Sequence, residues 1–225
     1  RINEFLQLPE RTKARETNTS RPDPAACPVE LQNVTFRYEE SDPDILQSLS
    51  FSVKEGEQVT LTGRTGAGKS TIFKLLLGLY TPQKGNVLIN GQPADALSEN
   101  QRRKIISCVE QNFSMVPGTI LDQITLFDPD ITLEQAQTAA GLTGLDEVIR
   151  SFPEDYNTPC KPGLFSQGQW QLLSIARAVA TNPRILLLDE ITANLDADTE
   201  QTVLSALNRA GNGRTVLSIS HRLYE

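Results

Sequence analysis

At 225 residues and 38% hydrophobic content, the chain has the size and composition of one large globular domain or two small ones. Its 21 basic against 28 acidic residues, net −7, argue against nucleic acid as a main partner, because gripping a phosphate backbone needs clustered positive charge, and leave room for a local phosphate pocket. Three widely spaced cysteines (Cys27, Cys108, Cys160) with no C-x-x-C pair argue against a disulfide framework or a zinc site, and no apolar run approaches the roughly twenty residues of a membrane span.

In chain order, "RINEFLQL" reads as a short helix ended by Pro9, and the proline-punctuated polar run up to Pro28 reads as a linker. With neither Met nor a signal pattern at the start, residues 1–28 are expected to connect to something longer, and a compact domain is expected over 29–225. "VELQNVTFRY" and "ILQSLSFSV" alternate apolar and polar residues at period two, which predicts half-buried antiparallel strands. "EQVTLTG" is a strand running into glycine, and "KSTIFKLLLGLY" predicts a helix with Ile72, Leu75, Leu76 and Leu79 on one face. "NVLING" predicts a strand ending in an Asn-Gly turn, and "KIISCVEQ" another strand. A helical subdomain is expected over about 119–180, from the apolar spacing of "LEQAQTAAGL" and "WQLLSIARAVA". The uninterrupted apolar run "RILLLDE" predicts a strand buried on both faces, followed by a helix from about Asp198 and a second such strand, "TVLSIS".

The segment "GRTGAGKS", Gly63 to Ser70, matches G-x-x-x-x-G-K-[ST] and stands between a predicted strand and a predicted helix, the context that this phosphate loop requires. Gly63, Gly66 and Gly68 let the backbone turn its N–H groups inward, forming a nest for phosphate oxygens at a helix N-terminus. Lys69 can reach the β and γ phosphates and Ser70 can offer its hydroxyl to Mg²⁺. GTPases, kinases and ATPases share this loop, so the loop alone does not choose among them.

"ILLLDE" ends a buried strand on two adjacent carboxylates. Neighbouring strand residues point to opposite sides, so Asp189 can face the metal while Glu190 faces the place of an attacking water, as a general base. Gln111, at the end of "KIISCVEQ", can touch Mg²⁺ and that water. The single histidine, His221, follows "TVLSIS" and is expected at the same sheet edge as Glu190. The fold expected from these parts is α/β, a P-loop NTPase core with an antiparallel β subdomain and an inserted α-helical subdomain.

In this order the parts resemble the nucleotide-binding domain of an ABC transporter, of the exporter type, over Val29 to Glu225. "GRTGAGKS" is similar to the family's Walker A, "ILLLDE" to its Walker B, Gln111 to its Q-loop, His221 to its switch histidine and "FSQGQ" to its signature. The resemblance implies that Tyr38 stacks on adenine and that Gly63, Arg64, Thr65, Gly66, Ala67, Gly68, Lys69, Ser70 and Thr71 bind ATP. It implies that Ser70, Gln111 and Asp189 serve Mg²⁺, and that Glu190, His221 and Gln111 serve hydrolysis. Ser166, Gln167, Gly168 and Gln169 would meet the γ-phosphate of an ATP held on a second nucleotide-binding domain, with Ser166 donating its hydroxyl and Gly168 permitting close backbone approach. Asp196 would lie in a dimer-facing loop. From the residues alone, Ser166 reads equally as an ordinary helix N-cap.

The sequence departs from the family pattern in three places. Phe165 and Gln167 replace the usual Leu and first Gly of the signature, Ala193 and Asn194 stand where exporters commonly show Ser and Ala, and "NTPCKPG" lacks the usual Glu upstream of the signature. Heterodimeric exporters resemble this combination of intact Glu and His with an altered signature, which implies a partner from a different subunit. Further implications are a transmembrane domain on the same full-length chain and a place at the cytoplasmic face of the cell membrane. The alternatives are a soluble, non-transport ABC ATPase and a nucleotide-binding regulatory subunit with little hydrolysis.

Overall fold

In the computed structural model, which describes residues 27–64, 66–110, 112–189, 191 and 195–220, the expected strands fall into two four-stranded sheets. The first is antiparallel, ordered β2-β1-β4-β5, from β1 (Val29–Phe36), β2 (Leu46–Val53), β4 (Lys84–Ile89) and β5 (Gln92–Pro93). The link from β4 to β5 is Asn90–Gly91, at φ 50° and 75°, the left-handed pair that a two-residue hairpin turn demands. The second sheet is parallel, ordered β3-β8-β7-β6, from β3 (Gln58–Thr62), β6 (Ile106–Val109), β7 (Ile185–Asp189) and β8 (Thr215–Ser220).

Seven α-helices are described: α1 (Lys69–Leu76), α2 (Glu99–Ile105), α3 (Ile120–Thr125), α4 (Leu133–Thr143), α5 (Asp146–Arg150), α6 (Gln167–Val179) and α7 (Ala197–Gly211). The apolar run in β7 acts on two cores at once. Ile185 and Leu187 join a core with Ile72, Phe73, Leu75 and Leu76 of α1 and the inner face of the antiparallel sheet, while Leu186 joins a second core with α4, α6 and α7. Period-two alternation within an all-apolar strand is what lets a sheet be covered on both sides. Full burial of each such side chain contributes about 1.5–3 kcal/mol.

Two expectations are corrected. Helix α1 ends at Leu76, where Gly78 turns left-handed at φ 61° and Leu79 donates its N–H to the Lys74 carbonyl, so Leu79 leaves the helical face and is 53% exposed. Lys104 and Ile105 belong to α2, and β6 starts only at Ile106. The proposed N-terminal helix and most of the linker lie outside the described residues.

Register brings distant segments to one edge. Thr62 pairs with Ser220, Ile219 with both Leu61 and Asp189, and Val109 with Leu188. The carboxyl ends of β3, β8, β7 and β6 therefore run out together, the edge at which open α/β sheets bind ligands.

Candidate functional site

The loop after β3 opens α1 in an unusual way. Gly63, Gly66 and Gly68 take φ of 152°, 84° and 84°, and the helix N-cap is Gly68 itself, with no side-chain oxygen capping the helix and no acidic residue in its first turn. The first N–H groups of a helix normally need such a partner. Left open behind a left-handed glycine turn, they form a cradle that fits an anion, and the helix dipole favours negative charge there.

Lys69 is 8% exposed, and its ammonium donates to the carbonyls of Gly63 at 2.7 Å and Arg64 at 3.1 Å. The lysine thus folds back over the loop it belongs to. Arg64, Gly66, Ala67 and Ser70 are exposed and Thr71 is buried. Gly68 also lies against β2, where an added Cβ would meet Leu46 Cδ2 at 2.7 Å.

Asp189 ends β7 at the same sheet edge. The carboxylates are felt nearby: burial pushes the Cys108 thiol up to about 12, and the charges of Glu110 and Asp189 add to the rise. A thiol held protonated in this way is a packing group and not a nucleophile. Among the described residues no group of three or more His, Cys, Asp or Glu can hold a metal ion. Thr65, Gln111, Glu190 and His221 lie outside the described residues.

Tyr38 is 37% exposed, in an aromatic cluster with Phe36 and Tyr80, whose ring centroids lie 5.1 Å and 5.2 Å from its own, both edge to face. Tyr80 carried no motif, so sequence reasoning missed it.

Helix α6 begins with a reciprocal cap. The Ser166 hydroxyl accepts from the Gln169 N–H at 3.2 Å and the Gln169 side chain accepts from the Ser166 N–H at 2.9 Å. Ser166 and Gln167 are exposed, whereas Gly168 is buried against Thr199. Phe165 is 5% exposed and packs edge to face on Phe152 and Trp170, so the replacement of Leu by Phe is absorbed by the core. Asp196 caps α7, accepting from Thr199 N–H at 3.0 Å and Thr199 Oγ1 at 2.6 Å, and these bonds hold its carboxyl below the usual range.

Two further anchors escaped the sequence. Gln123, fully buried in α3, accepts from the Val116 N–H and donates to the carbonyls of Val116 and Thr119, which pins the loop after Gln111. Arg177, on α6, donates to the carbonyls of Gln123 and Ser114 and stacks 4.0 Å over the Phe113 ring, and burial lowers its pKa to about 10. The only signal for either was a polar residue inside an apolar-periodic helix.

Comparisons with known proteins agree with this architecture. Residues 46–193 match the ABC transporter family. The chain is 39% identical over 197 residues, 87% of its length, to the alpha-hemolysin translocation ATP-binding protein HlyB of Escherichia coli O157:H7, and covers 28% of it. It is 36% identical over 220 residues, 97% of its length, to the probable multidrug resistance ABC transporter ATP-binding/permease protein YheH of Bacillus subtilis (strain 168), and covers 32% of it. A solved structure of a bacterial Atm1-family ABC exporter with ATP bound superposes with TM-score 0.81 at 33% identity, over 98% of this chain and 38% of the other. The chain thus spans about a third of the length of these relatives.

Proposed function

The chain belongs to the ABC transporter family, as a nucleotide-binding domain of the exporter type, and on that premise we propose that it binds and hydrolyses ATP to drive export through a transmembrane domain on the same full-length protein. The observation that carries the proposal is the acid-free start of α1, without a side-chain cap, behind three left-handed glycines, at the same sheet edge as Asp189 with one strand between. That relatives are ATP-binding/permease proteins supports the membrane portion and a place at the cytoplasmic face of a membrane. Among the described residues, no helix is long and apolar enough to cross a membrane.

In the proposed reaction Tyr38 stacks on the base, the loop from Gly63 to Thr71 holds the phosphates, and Lys69 swings from its own loop carbonyls to the β and γ oxygens. Ser70, Gln111 and Asp189 would hold Mg²⁺, which would supply positive charge to offset that of the phosphate oxygens. Glu190 takes a proton from the attacking water, and Gln111 and His221 position that water in line with the bond that breaks. A second nucleotide-binding domain, from a different subunit, closes the site. Ser166, Gln167, Gly168 and Gln169 of this chain cover the partner's nucleotide, with Asp196 beside them. The altered signature residue Gln167, exposed at the tip of α6, supports an unequal pair of sites.

The test is Glu190→Gln in the full-length protein. MgATP binding should persist while turnover falls by at least about a hundredfold. Unimpaired turnover would refute Glu190 as base, and a full-length protein that turns over ATP at two equal sites without any second subunit would refute the unequal pair.

A further inference from the structure

Gly168 is the second residue of α6, and a glycine inside a helix costs about 1 kcal/mol relative to alanine. Its presence needs a reason. Backbone freedom is not that reason, because the φ of Gly168 is not positive and its backbone is that of an ordinary helical residue. Space is the reason: a Cβ built at Gly168 would overlap the Cγ2 methyl of Thr199, while Thr199 Cβ and Oγ1 lie at ordinary contact distances of 3.7 and 3.8 Å. Gly168 is buried by its own chain, so the group that fills the gap comes from within this chain.

The orientation of that methyl is also fixed. Thr199 Oγ1 donates to one oxygen of the Asp196 carboxylate and its N–H donates to the other, so χ1 of a β-branched residue is set and Cγ2 is directed at Gly168. The carboxylate of the Asp196 loop, the two-pronged Thr199 and the hole at Gly168 form one continuous contact. On the solvent side of this contact, Ser166, Gln167 and Asp196 are all exposed.

We propose that Thr199 is a positioning residue that pins Asp196 to the tip of α6 through the hole at Gly168, so that Asp196 and the α6 tip are offered to the partner subunit as one body. The inference rests on the reading of those segments as partner-facing. It assigns the missing Cβ of the glycine in "FSQGQ" to a contact within the chain, and leaves the backbone of that residue to the partner's nucleotide.

The experiment moves one methyl group between the two positions in the full-length protein in its membrane assembly. Gly168→Ala inserts a carbon into an occupied position and should lower kcat for ATP hydrolysis roughly tenfold or more, with KM changed less than about threefold because the chain's own phosphate loop is untouched. Thr199→Ser removes the overlapped atom and keeps both bonds to Asp196, and should cost no more than about threefold by itself. Combined, Gly168→Ala with Thr199→Ser should recover kcat to within about threefold of wild type. Thr199→Val, which keeps the branched shape and loses the hydroxyl, should be slowed without any such recovery when combined with Gly168→Ala.

A double variant as slow as Gly168→Ala overturns the proposal, since the glycine would then be needed for something outside the chain. A Gly168→Ala protein as fast as wild type overturns it too. If the wild-type assembly does not hydrolyse ATP, the functional reading fails and the packing is still decided by thermal unfolding: Gly168→Ala should lower Tm by roughly 2–8 °C and the double variant should restore it.

Discussion

The phenolic oxygen of Tyr38 stands 3.1 Å from the hydroxyl of Thr71, and the Lys74 ammonium donates to it from 3.3 Å. An ammonium can only donate, so Tyr38 accepts from Lys74, while its bond with Thr71 joins two hydroxyls and can run in either direction. A residue proposed for the base and a residue proposed for the phosphates are therefore joined. Removing only the hydroxyl, by Tyr38→Phe, should leave MgATP affinity equal to wild type or raise it by up to about fivefold, since one hydrogen bond of about 1 kcal/mol no longer has to be broken. Tyr38→Ala, which removes the ring, should weaken binding by roughly tenfold. Titration calorimetry distinguishes the two, and equal losses in both variants would contradict the argument.

Lys69→Ala should weaken MgATP binding by at least about tenfold, because a charge-assisted contact to phosphate of about 1.5–3 kcal/mol is lost. The far-ultraviolet circular dichroism should stay at the wild-type value, because the lysine's partners within the fold are two carbonyls of its own loop. Affinity unchanged within error would remove Lys69 from the phosphate site.

Arg177→Met keeps the buried stem and deletes the guanidinium that serves Ser114, Gln123 and the Phe113 ring. Two carbonyls lose their donor, and unfolding in urea should show a loss of about 2–4 kcal/mol. Arg177→Lys should recover only part of this, since a point charge cannot reach both carbonyls and stack on the ring together.

The Asp196 carboxyl is held below its ordinary value, first by the Thr199 hydroxyl and then by the Thr199 N–H. A lowered folded-state pKa means that the cap's contribution is complete above the ordinary carboxylate value and is lost as pH falls through the folded value. Thr199→Val removes the larger cause, so the Asp196 pKa, followed by carboxyl NMR titration, should rise towards the unfolded value. A titration curve that does not move would show that the hydroxyl bond is not what lowers it.

Much of this site can be read from the chain order. The phosphate loop announces itself through three glycines, Lys69 and Ser70, because its geometry is local, and the β7 run is recognisable because burial on both faces removes polar residues. The pairing of Gly168 with Thr199 is invisible at that level, since it joins helices whose first turns lie some thirty residues apart and no periodicity links them. The same holds for Tyr38 and Thr71, whose contact spans 33 positions, and for Arg177, which reaches back 63 positions to Ser114. Leu79 misled because helical spacing persists past the point where Gly78 breaks the helix.

Strand β8 lies between β3 and β7. Adjacent strands are about 4.8 Å apart, so the ends of β3 and β7 lie two strand spacings, roughly 10 Å, from one another. The middle strand is thus the common ruler of the site: through Ser220 and Ile219 it sets how far Thr62 and Asp189 extend relative to each other.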